Sequence, residues 1–234
     1  MTFWWHSINL GDRITPGHKS TDLLEREWNQ LHFPDLQGKT FLDIGCWDGW
    51  FSFKAESLGA RVTANDEYVW RYDLPAYTKA VTDGMSFADR NEFYNPRGYP
   101  GKVGFDTAHR ALSSQVKCVV GDFMDTDLEP ADIVLFSGVI YHCRDLFGAL
   151  VRLRELTKEL LVIESEAQDW NHQPLWEFVP DDRLANDASN WWVPSRQGLV
   201  AMCEAAGFTA TPQTPFVGAE HHYRLVVHAV PKGV

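Results

Sequence analysis

Two glycines and three acidic residues are spaced in a way that suits binding of an adenosine-containing ligand. In Asp43-x-Gly45-x-x-x-Gly49 a carboxylate accompanies two glycines, which let the main chain turn sharply and approach a ligand closely. Asp43 can meet a cationic amino group, and Asp66 can accept both hydroxyls of a ribose. Asp122, with the main-chain N–H that follows it, can bind an adenine edge.

The residues inside this loop separate two classes of ligand. A pyrophosphate binder uses G-x-G-x-x-G, which sets the phosphates on bare main-chain N–H groups at a helix N-terminus. Here Trp47 and Asp48 fill the loop, and Asp43 would repel phosphates. The loop therefore favours a sulfonium cofactor that carries an ammonium group.

Several further residues are candidates for binding or activating an acceptor. His142 has a side chain whose ordinary pKa is near neutrality, so it suits a general base, with packing or helix capping as the alternative. Glu164 and Glu166 could bind a cation or act as a base, or could only anchor a loop. Trp191 and Trp192 could form the wall of a substrate pocket, or could pack in the core.

The sequence does not indicate a metal site. His221 and His222 are adjacent, so on a strand they face opposite ways, and no carboxylate spacing completes a ligand set. The four cysteines lie far apart and form no C-x-x-C pair, which argues against a zinc knuckle or a disulfide framework. They are Cys46, Cys118, Cys143 and Cys203.

The elements that must position these groups alternate between strand and helix. Apolar periodicity and Gly or Pro breaks predict helices over 21–31, 50–58, 105–112, 146–156 and 197–206, and strands over 40–44, 61–65, 116–120, 132–136, 159–163 and 223–230. Asp43, Asp66 and Asp122 then lie at the carboxyl ends of successive predicted strands, which is where open α/β sheets bind ligands. Residues 86–100 are predicted to be an inserted loop.

Length and composition favour a single soluble domain. The chain has 234 residues, is 44% hydrophobic and carries a formal net charge of −11. It has no apolar run long enough to span a membrane and does not begin like a signal peptide, so we expect a cytoplasmic protein without a membrane partner. The charge opposes loose attraction to nucleic acid, although a local basic patch would still allow it.

The motifs resemble a known enzyme family. Leu42-Asp43-Ile44-Gly45-Cys46-x-x-Gly49 resembles motif I of class I S-adenosylmethionine-dependent methyltransferases. The tRNA wobble-uridine carboxymethyltransferase group and its small-molecule methyltransferase relatives are similar at Phe136-Ser137-Gly138-Val139-Ile140-Tyr141-His142, Val179-Pro180-x-Asp182-Arg183 and Asn190-x-x-x-Pro194-Ser195. The opening Trp5-His6-Ser7-Ile8-x-Leu10-Gly11 is similar to the small-molecule relatives in particular.

The resemblance implies a Rossmann-like, doubly wound α/β sheet of seven strands, mostly parallel with an antiparallel last strand, and helices on both faces. It implies S-adenosyl-L-methionine as cofactor and S-adenosyl-L-homocysteine as product, with cofactor contacts from Asp43, Gly45, Cys46, Trp47, Gly49, Asp66, Glu67, Asp122, Phe123 and Ser137. We expect catalytic roles for His142, Tyr141 and Glu164, and substrate contacts from Trp5, His6, Glu166, Trp191 and Trp192.

Three hypotheses about function follow. The tRNA-modifying members carry a Lys-Gly-Pro-Phe segment and a basic later segment that this sequence lacks. A methyltransferase acting on a small-molecule hydroxyl or amine in specialised biosynthesis is therefore favoured, with a tRNA wobble-uridine (carboxy)methyltransferase second and a non-catalytic cofactor-binding partner subunit third. Residues 1–36 are expected to form a cap or lid, and residues 68–104 and 165–196 to lie on the substrate side of one domain.

Overall fold

The computed structural model describes residues 4–68, 83–85, 100–168, 172–180, 183–184, 189–217 and 223–233. The helices within these ranges are α1 (Thr21–Gln30), α2 (Trp50–Ser57), α3 (Pro100–Ala111), α4 (Leu146–Leu156) and α5 (Arg196–Ala205), with a 3-10 helix at Ile140–His142. The strands are β1 (Thr40–Ile44), β2 (Arg61–Asp66), β3 (Lys117–Val120), β4 (Ala131–Ser137), β5 (Thr157–Glu166), β6 (Trp176–Phe178), β7 (Trp192–Pro194), β8 (Phe208–Pro212), β9 (Phe216–Val217) and β10 (Tyr223–Pro231).

One large sheet organises the chain. Its strand order is β3-β2-β1-β4-β5-β10-β8, and the short β9 also pairs with β10. The pairs from β3 to β5 are parallel, whereas β10 is antiparallel to both β5 and β8. The strand order reverses direction between β1 and β4, which is the place where such sheets bind ligands. The predicted fold class is confirmed.

The alternation of side chains along each strand divides the core into two layers. In β4, Ile133 and Leu135 enter one buried cluster, which also contains residues of α1, α2 and α3. Val134 and Phe136 enter the other cluster, with residues of α4 and α5. Because successive side chains on a strand face opposite sides of the sheet, helices cover both faces, and β4 is apolar on both sides.

The glycines in α3 explain one difference from the prediction. The helix begins at Pro100, whereas apolar spacing predicts a start at Phe105. Proline suits a first helical position because its missing N–H is not needed there. A Cβ atom at Gly101 would lie 2.5 Å from the Trp47 indole, and one at Gly104 would lie 3.1 Å from Asp48. Close packing against the glycine loop therefore requires residues that look like helix breakers.

Strand β5 and its neighbours give the other differences. β5 runs to Glu166, so the acids predicted to follow the strand lie within it and pair with β10. The prediction omitted β8, the seventh strand of the main path, and the two-stranded β6–β7 ribbon, which is short and carries a proline.

The interior of the predicted inserted loop, residues 86–99, lies outside the described residues, as do His221 and His222. None of the helices in the described ranges has the length and apolarity that crossing a membrane requires.

Candidate functional site

The glycine loop connects β1 to α2, and main-chain hydrogen bonds and the backbone angles of two glycines fix its shape. Gly45 has a φ of 81°, and a Cβ atom there would lie 2.3 Å from the Val139 side chain. Gly49, the residue before α2, has a φ of 90°. Both conformations favour glycine. The Gly45 N–H donates to Asn65 O at 2.8 Å, which fastens the loop to the end of β2.

Asp66 ends β2 and holds the loop from the other side. One carboxylate oxygen accepts the Trp47 main-chain N–H at 2.8 Å, and the other accepts the Tyr68 N–H at 2.6 Å. Burial raises the pKa of Asp66 to about 6, although both hydrogen bonds oppose the rise. The Asn65 amide donates to Val119 O at 3.0 Å and to Gly121 O at 2.9 Å, so the ends of β2 and β3 are tied together.

Two carboxylates that belong to the loop itself are buried, those of Asp43 and Asp48. Asp43 accepts a hydrogen bond from Ser52 Oγ at 2.6 Å, and burial raises the pKa of Asp43 to about 6. Asp48 is fully buried. One of its carboxylate oxygens accepts hydrogen bonds from the Trp5 N–H at 2.8 Å and the His6 N–H at 3.0 Å, and the other contacts His6 Nδ1. The structure thus brings Trp5 and His6 to the glycine loop. Sequence reasoning left Asp48 out of the site, although its place inside the loop was a signal.

The remaining predicted cofactor residues lie around the same edge. Cys46 is buried, with Sγ 3.5 Å from Tyr68 Oη, and the Trp47 ring centroid lies 6.0 Å from that of Tyr68. Asp122 accepts the Met124 N–H at 2.9 Å, and the adjacent Phe123 is buried edge-to-face against Phe136. Glu67 follows Asp66 directly and is partly buried.

A charged cluster lies where β5 pairs with β10. Arg224 donates from Nη2 to Glu164 at 2.8 Å and from Nε to the other oxygen of the same carboxylate, and its Nη1 lies 3.7 Å from Glu166. Ser137 Oγ donates to Glu164 at 2.9 Å. Tyr141 joins the cluster, because the guanidinium carbon lies 5.5 Å from its ring centroid. Sequence reasoning missed Arg224, which only the antiparallel register of β10 reveals.

The charges of this cluster determine which groups can accept a proton. Burial works to raise the pKa of Glu164, but the Arg224 charge and the hydrogen bonds outweigh it and hold the pKa below its usual value. Glu164 is therefore a weak base in this arrangement. Burial raises the pKa of Tyr141, and the Arg224 charge offsets only part of that rise. Tyr141 consequently stays a neutral hydroxyl near neutral pH.

His142 is oriented by a neighbouring loop residue. Its Nδ1 lies 2.9 Å from Ser189 O and 3.0 Å from Ser189 Oγ, and its ring centroid lies 4.6 Å from that of Tyr141. A proton on Nδ1 can be donated to the Ser189 carbonyl, and the neutral ring then carries its lone pair on Nε2. This is the tautomer that a general base at Nε2 requires.

The β6–β7 ribbon is attached beside His142. The Trp191 N–H donates to Tyr141 O at 2.9 Å, and the Arg144 guanidinium lies 5.5 Å from the Trp191 ring centroid. Trp192 lies opposite Phe178 in the ribbon, with ring centroids 5.1 Å apart. The predicted site residues therefore form two groups, one around the glycine loop and one formed by the charged cluster, His142 and the ribbon. Their roles in binding and catalysis stay predictions.

The sequence is similar to those of known methyltransferases. A family model described as "Methyltransferase domain" matches residues 17–213. The chain is 25% identical over 191 residues to a protein of Marinobacter nauticus named tRNA U34 carboxymethyltransferase, with 78% of this chain and 48% of the relative covered. A Pseudomonas fluorescens protein of the same name is 28% identical over 182 residues, with 75% and 47% covered. The chain thus spans about half the length of these relatives.

Solved structures share the fold at low identity. The Burkholderia thailandensis 1,6-didemethyltoxoflavin-N1-methyltransferase, solved with 1,6-didemethyltoxoflavin and S-adenosylhomocysteine, has a TM-score of 0.51 and 20% identity, with 84% of this chain and 72% of that one covered. The Synechocystis magnesium protoporphyrin IX methyltransferase, solved with S-adenosylmethionine, has a TM-score of 0.57 and 12% identity, with 90% and 78% covered.

Proposed function

The chain belongs to the methyltransferase-domain family, and on that premise we propose that it transfers a methyl group from S-adenosyl-L-methionine to a hydroxyl or amine of a small molecule. The observation that carries the proposal is the meeting of three strand ends. Asp66 at the end of β2 holds the Trp47 N–H of the glycine loop, and Asn65 ties that end to Gly121, next to Asp122.

The groups around the loop suit a cationic cofactor. The loop from Asp43 to Gly49 contains two acids and no basic residue. Burial holds the pKa of both Asp43 and Asp66 at about 6, so a cation beside them would favour their ionised forms. Asp66 and Glu67 would hold the ribose, Asp122 and Phe123 the adenine, and the bare main chain at Gly45 the methionine end. When bound, S-adenosylmethionine supplies an electrophilic methyl group on a sulfonium.

The second group of residues would position and deprotonate the acceptor. His142 Nε2 is the candidate base, because Ser189 accepts a hydrogen bond from the opposite nitrogen. Tyr141, a neutral hydroxyl, would orient the acceptor. Glu164 keeps a positioning role, since its ion pair with Arg224 makes it a weak base. Water exclusion and alignment account for most of the rate enhancement in such a reaction.

A second candidate is a tRNA wobble-uridine carboxymethyltransferase, because the named sequence relatives carry that description. We rank it second for two reasons. The net charge of −11 opposes binding to a phosphate backbone. Arg224, the guanidinium that could meet a carboxylated cofactor, already lies between Glu164 and Glu166, so this trio carries one excess negative charge.

Calorimetric titration of one protein preparation tests both candidates. We expect S-adenosylmethionine to bind and its carboxylated analogue to bind more weakly, because the excess carboxylate repels the added charge. Absence of S-adenosylmethionine binding would refute the proposal. Preference for the carboxylated analogue, together with tRNA binding that weakens steeply with salt, would instead establish the second candidate. Mass spectrometry of phenols and amines incubated with cofactor would then identify a methylated product.

A further inference from the structure

The N-terminal loop, residues 5–19, is closed on itself and packs against the glycine loop. The Ser7 N–H donates to Lys19 O at 2.9 Å, which ties the two ends of the N-terminal loop together. A Cβ atom at Gly17 would lie 2.1 Å from the carbonyl carbon of His6, so any side chain there would force the two ends apart. These contacts hold His6 in one place, beside the glycine loop.

The His6 side chain lies between the glycine loop and α2. Its main-chain N–H and its Nδ1 contact the two carboxylate oxygens of Asp48, and its ring meets that of Phe51 edge-on, with centroids 5.7 Å apart. An ionised Asp48 needs a hydrogen on Nδ1, so the imidazole is the donor in this contact. Because His6 is 5% exposed and Asp48 is fully buried, this pair can act on a cofactor only through the loop.

The part of the glycine loop that His6 contacts depends on support from outside. Trp47 has a φ of 47°, which residues other than glycine seldom adopt and which persists where the surroundings hold it. Asp66 supports this turn through the Trp47 N–H at 2.8 Å, and the N-terminal loop supports it through Asp48. A Cβ atom at Gly104 of α3 would lie 3.1 Å from Asp48 Cβ, so the Asp48 side chain is confined on a second side.

We propose that His6 is a positioning residue of the glycine loop, and that its hydrogen bond to Asp48 keeps the loop in the shape that binds S-adenosylmethionine. This assigns to His6 a role behind the cofactor in place of the substrate contact expected from the sequence. Without the imidazole donor, Asp48 keeps its two main-chain donors, but the loop gains freedom that cofactor binding has to remove. The inference rests on the proposed function, because it concerns the same cofactor site.

Two substitutions of His6 separate its hydrogen bond from its packing. His6→Leu keeps a side chain of similar volume against Phe51 but removes the donor to Asp48. His6→Asn keeps a donor near the position of Nδ1 but removes most of the ring. If only packing mattered, His6→Leu would resemble the wild type more closely in cofactor binding. Positioning through Asp48 predicts the opposite order.

Calorimetric titration with S-adenosylmethionine measures that order. We expect His6→Leu to weaken binding about tenfold, as the loss of one hydrogen bond to a buried charge would, and His6→Asn to stay within about threefold of the wild type. The matched control is His228→Leu, which should leave the affinity unchanged. The His228 ring also forms a hydrogen bond, to Leu31 O at 2.8 Å, but lies on β10, three strands away from β1. If His6→Leu does not fold, His6→Gln replaces it with the same expected loss, because its donor reaches the position of Nε2 instead.

Hydrogen exchange measured by mass spectrometry tests the positioning without a cofactor. In free His6→Leu, peptides covering residues 43–53 should exchange about tenfold faster than in the wild type, and those of β4 and β5 should not change. Coupling between two sites is reciprocal, so S-adenosylmethionine should slow exchange of the His6 N–H in the wild type by about tenfold.

The outcomes distinguish this inference from the proposed function. Equal affinities of the wild type and His6→Leu for S-adenosylmethionine would overturn the inference and leave the proposed function in place, as would weaker binding by His6→Asn than by His6→Leu. A wild type that does not bind S-adenosylmethionine would overturn the proposed function. Unchanged exchange of residues 43–53 in His6→Leu would then overturn the positioning role as well.

Discussion

Around the glycine loop, buried carboxylates accept hydrogen bonds from the protein's own chain, whereas along the β6–β7 ribbon buried polar atoms lack partners within the described residues. Asp48 alone accepts from Trp5 and from both the main chain and the ring of His6. By contrast, the indole nitrogens of Trp176 and Trp192 have none. Hydrogen bonds within the chain organise the first region, whereas the second is held by packing of its aromatic side chains against the core.

The largest loss of stability that we expect comes from breaking the buried ion pairs of Arg224. Replacing Arg224 by Met leaves Glu164 and Glu166 buried without their cation, and removing one partner of a buried pair costs about 3–5 kcal/mol. Urea unfolding measures this loss of stability. The matched control is Arg13→Met, because the Arg13 side chain is 66% exposed. Adding Glu164→Gln to Arg224→Met should restore part of the stability. Equal losses of stability for Arg224→Met and Arg13→Met would contradict a stabilising role of the Arg224 ion pairs.

Substitution of Asp66 tests whether the cofactor binds at the region around the glycine loop. Asp66→Ala removes a carboxylate that would hold the ribose and also releases the Trp47 N–H, so we expect S-adenosylmethionine affinity to fall about 100-fold. Calorimetry measures the dissociation constant. Asp125→Ala is the control, since Asp125 is an exposed acid a few residues after β3. Retention of affinity by Asp66→Ala would contradict the assignment of this end of the sheet to the cofactor.

Much of the organised region was predictable because its signals are local. Gly45 and Gly49 have backbone angles that favour glycine, and β1, α2 and β2 follow one another directly in the chain, so residues within a short stretch determine the geometry. The predicted fold class is confirmed, and the methyltransferase family is confirmed by the family match. The start of α3 was predicted wrongly, because Gly101 and Gly104 meet constraints set by Trp47 and Asp48, which are distant in sequence.

The rest of the site depends on pairing between distant segments, which a single sequence does not disclose. Arg224 reaches Glu164 only because β10 runs antiparallel to β5. His142 is oriented by Ser189, and the Trp191 N–H meets Tyr141 across a similar separation. The residue types in this half were predicted as candidates, but their partners, which decide whether each one can accept a proton, were not.

Asp48 offers a smaller test, confined to the N-terminal segment. Asp48→Ala leaves the donors of Trp5 and His6 without their acceptor, and we expect the protection of these residues against hydrogen exchange to fall about 30-fold. Exchange measured by mass spectrometry should show no change in β4 and β5. Asp12→Ala provides the comparison, because that side chain is 74% exposed. Loss of protection throughout the sheet would show that Asp48 supports the whole fold rather than this segment.

The smallest effect concerns pH. As the pH rises through about 6, titration of Asp66 should lower the stability of the free protein and raise its affinity for the cofactor. Burial raises the pKa of Asp66 from 3.8 to about 6. In the free protein, its contribution to stability is present below pH 3.8 and is lost as the pH rises through about 6. On the proposed assignment the ribose contact needs the ionised carboxylate, so Asp66 alone should lower the affinity about tenfold between pH 7 and pH 5, and a contribution from Asp43 adds to this fall.

Asp66→Asn separates this titration from other causes. The variant should bind more weakly at pH 7 and lose most of its pH dependence. The slope left by Asp43 is shallower, because removing the Asp66 charge lowers the raised pKa of Asp43. The Asp43→Asn, Asp66→Asn double variant should then be nearly independent of pH over this range. Calorimetry at several pH values measures the slope for all three proteins. A wild-type affinity that stays constant between pH 7 and pH 5 would mean that the cofactor does not depend on these carboxylates, and the contrast between the two regions would lose its electrostatic basis.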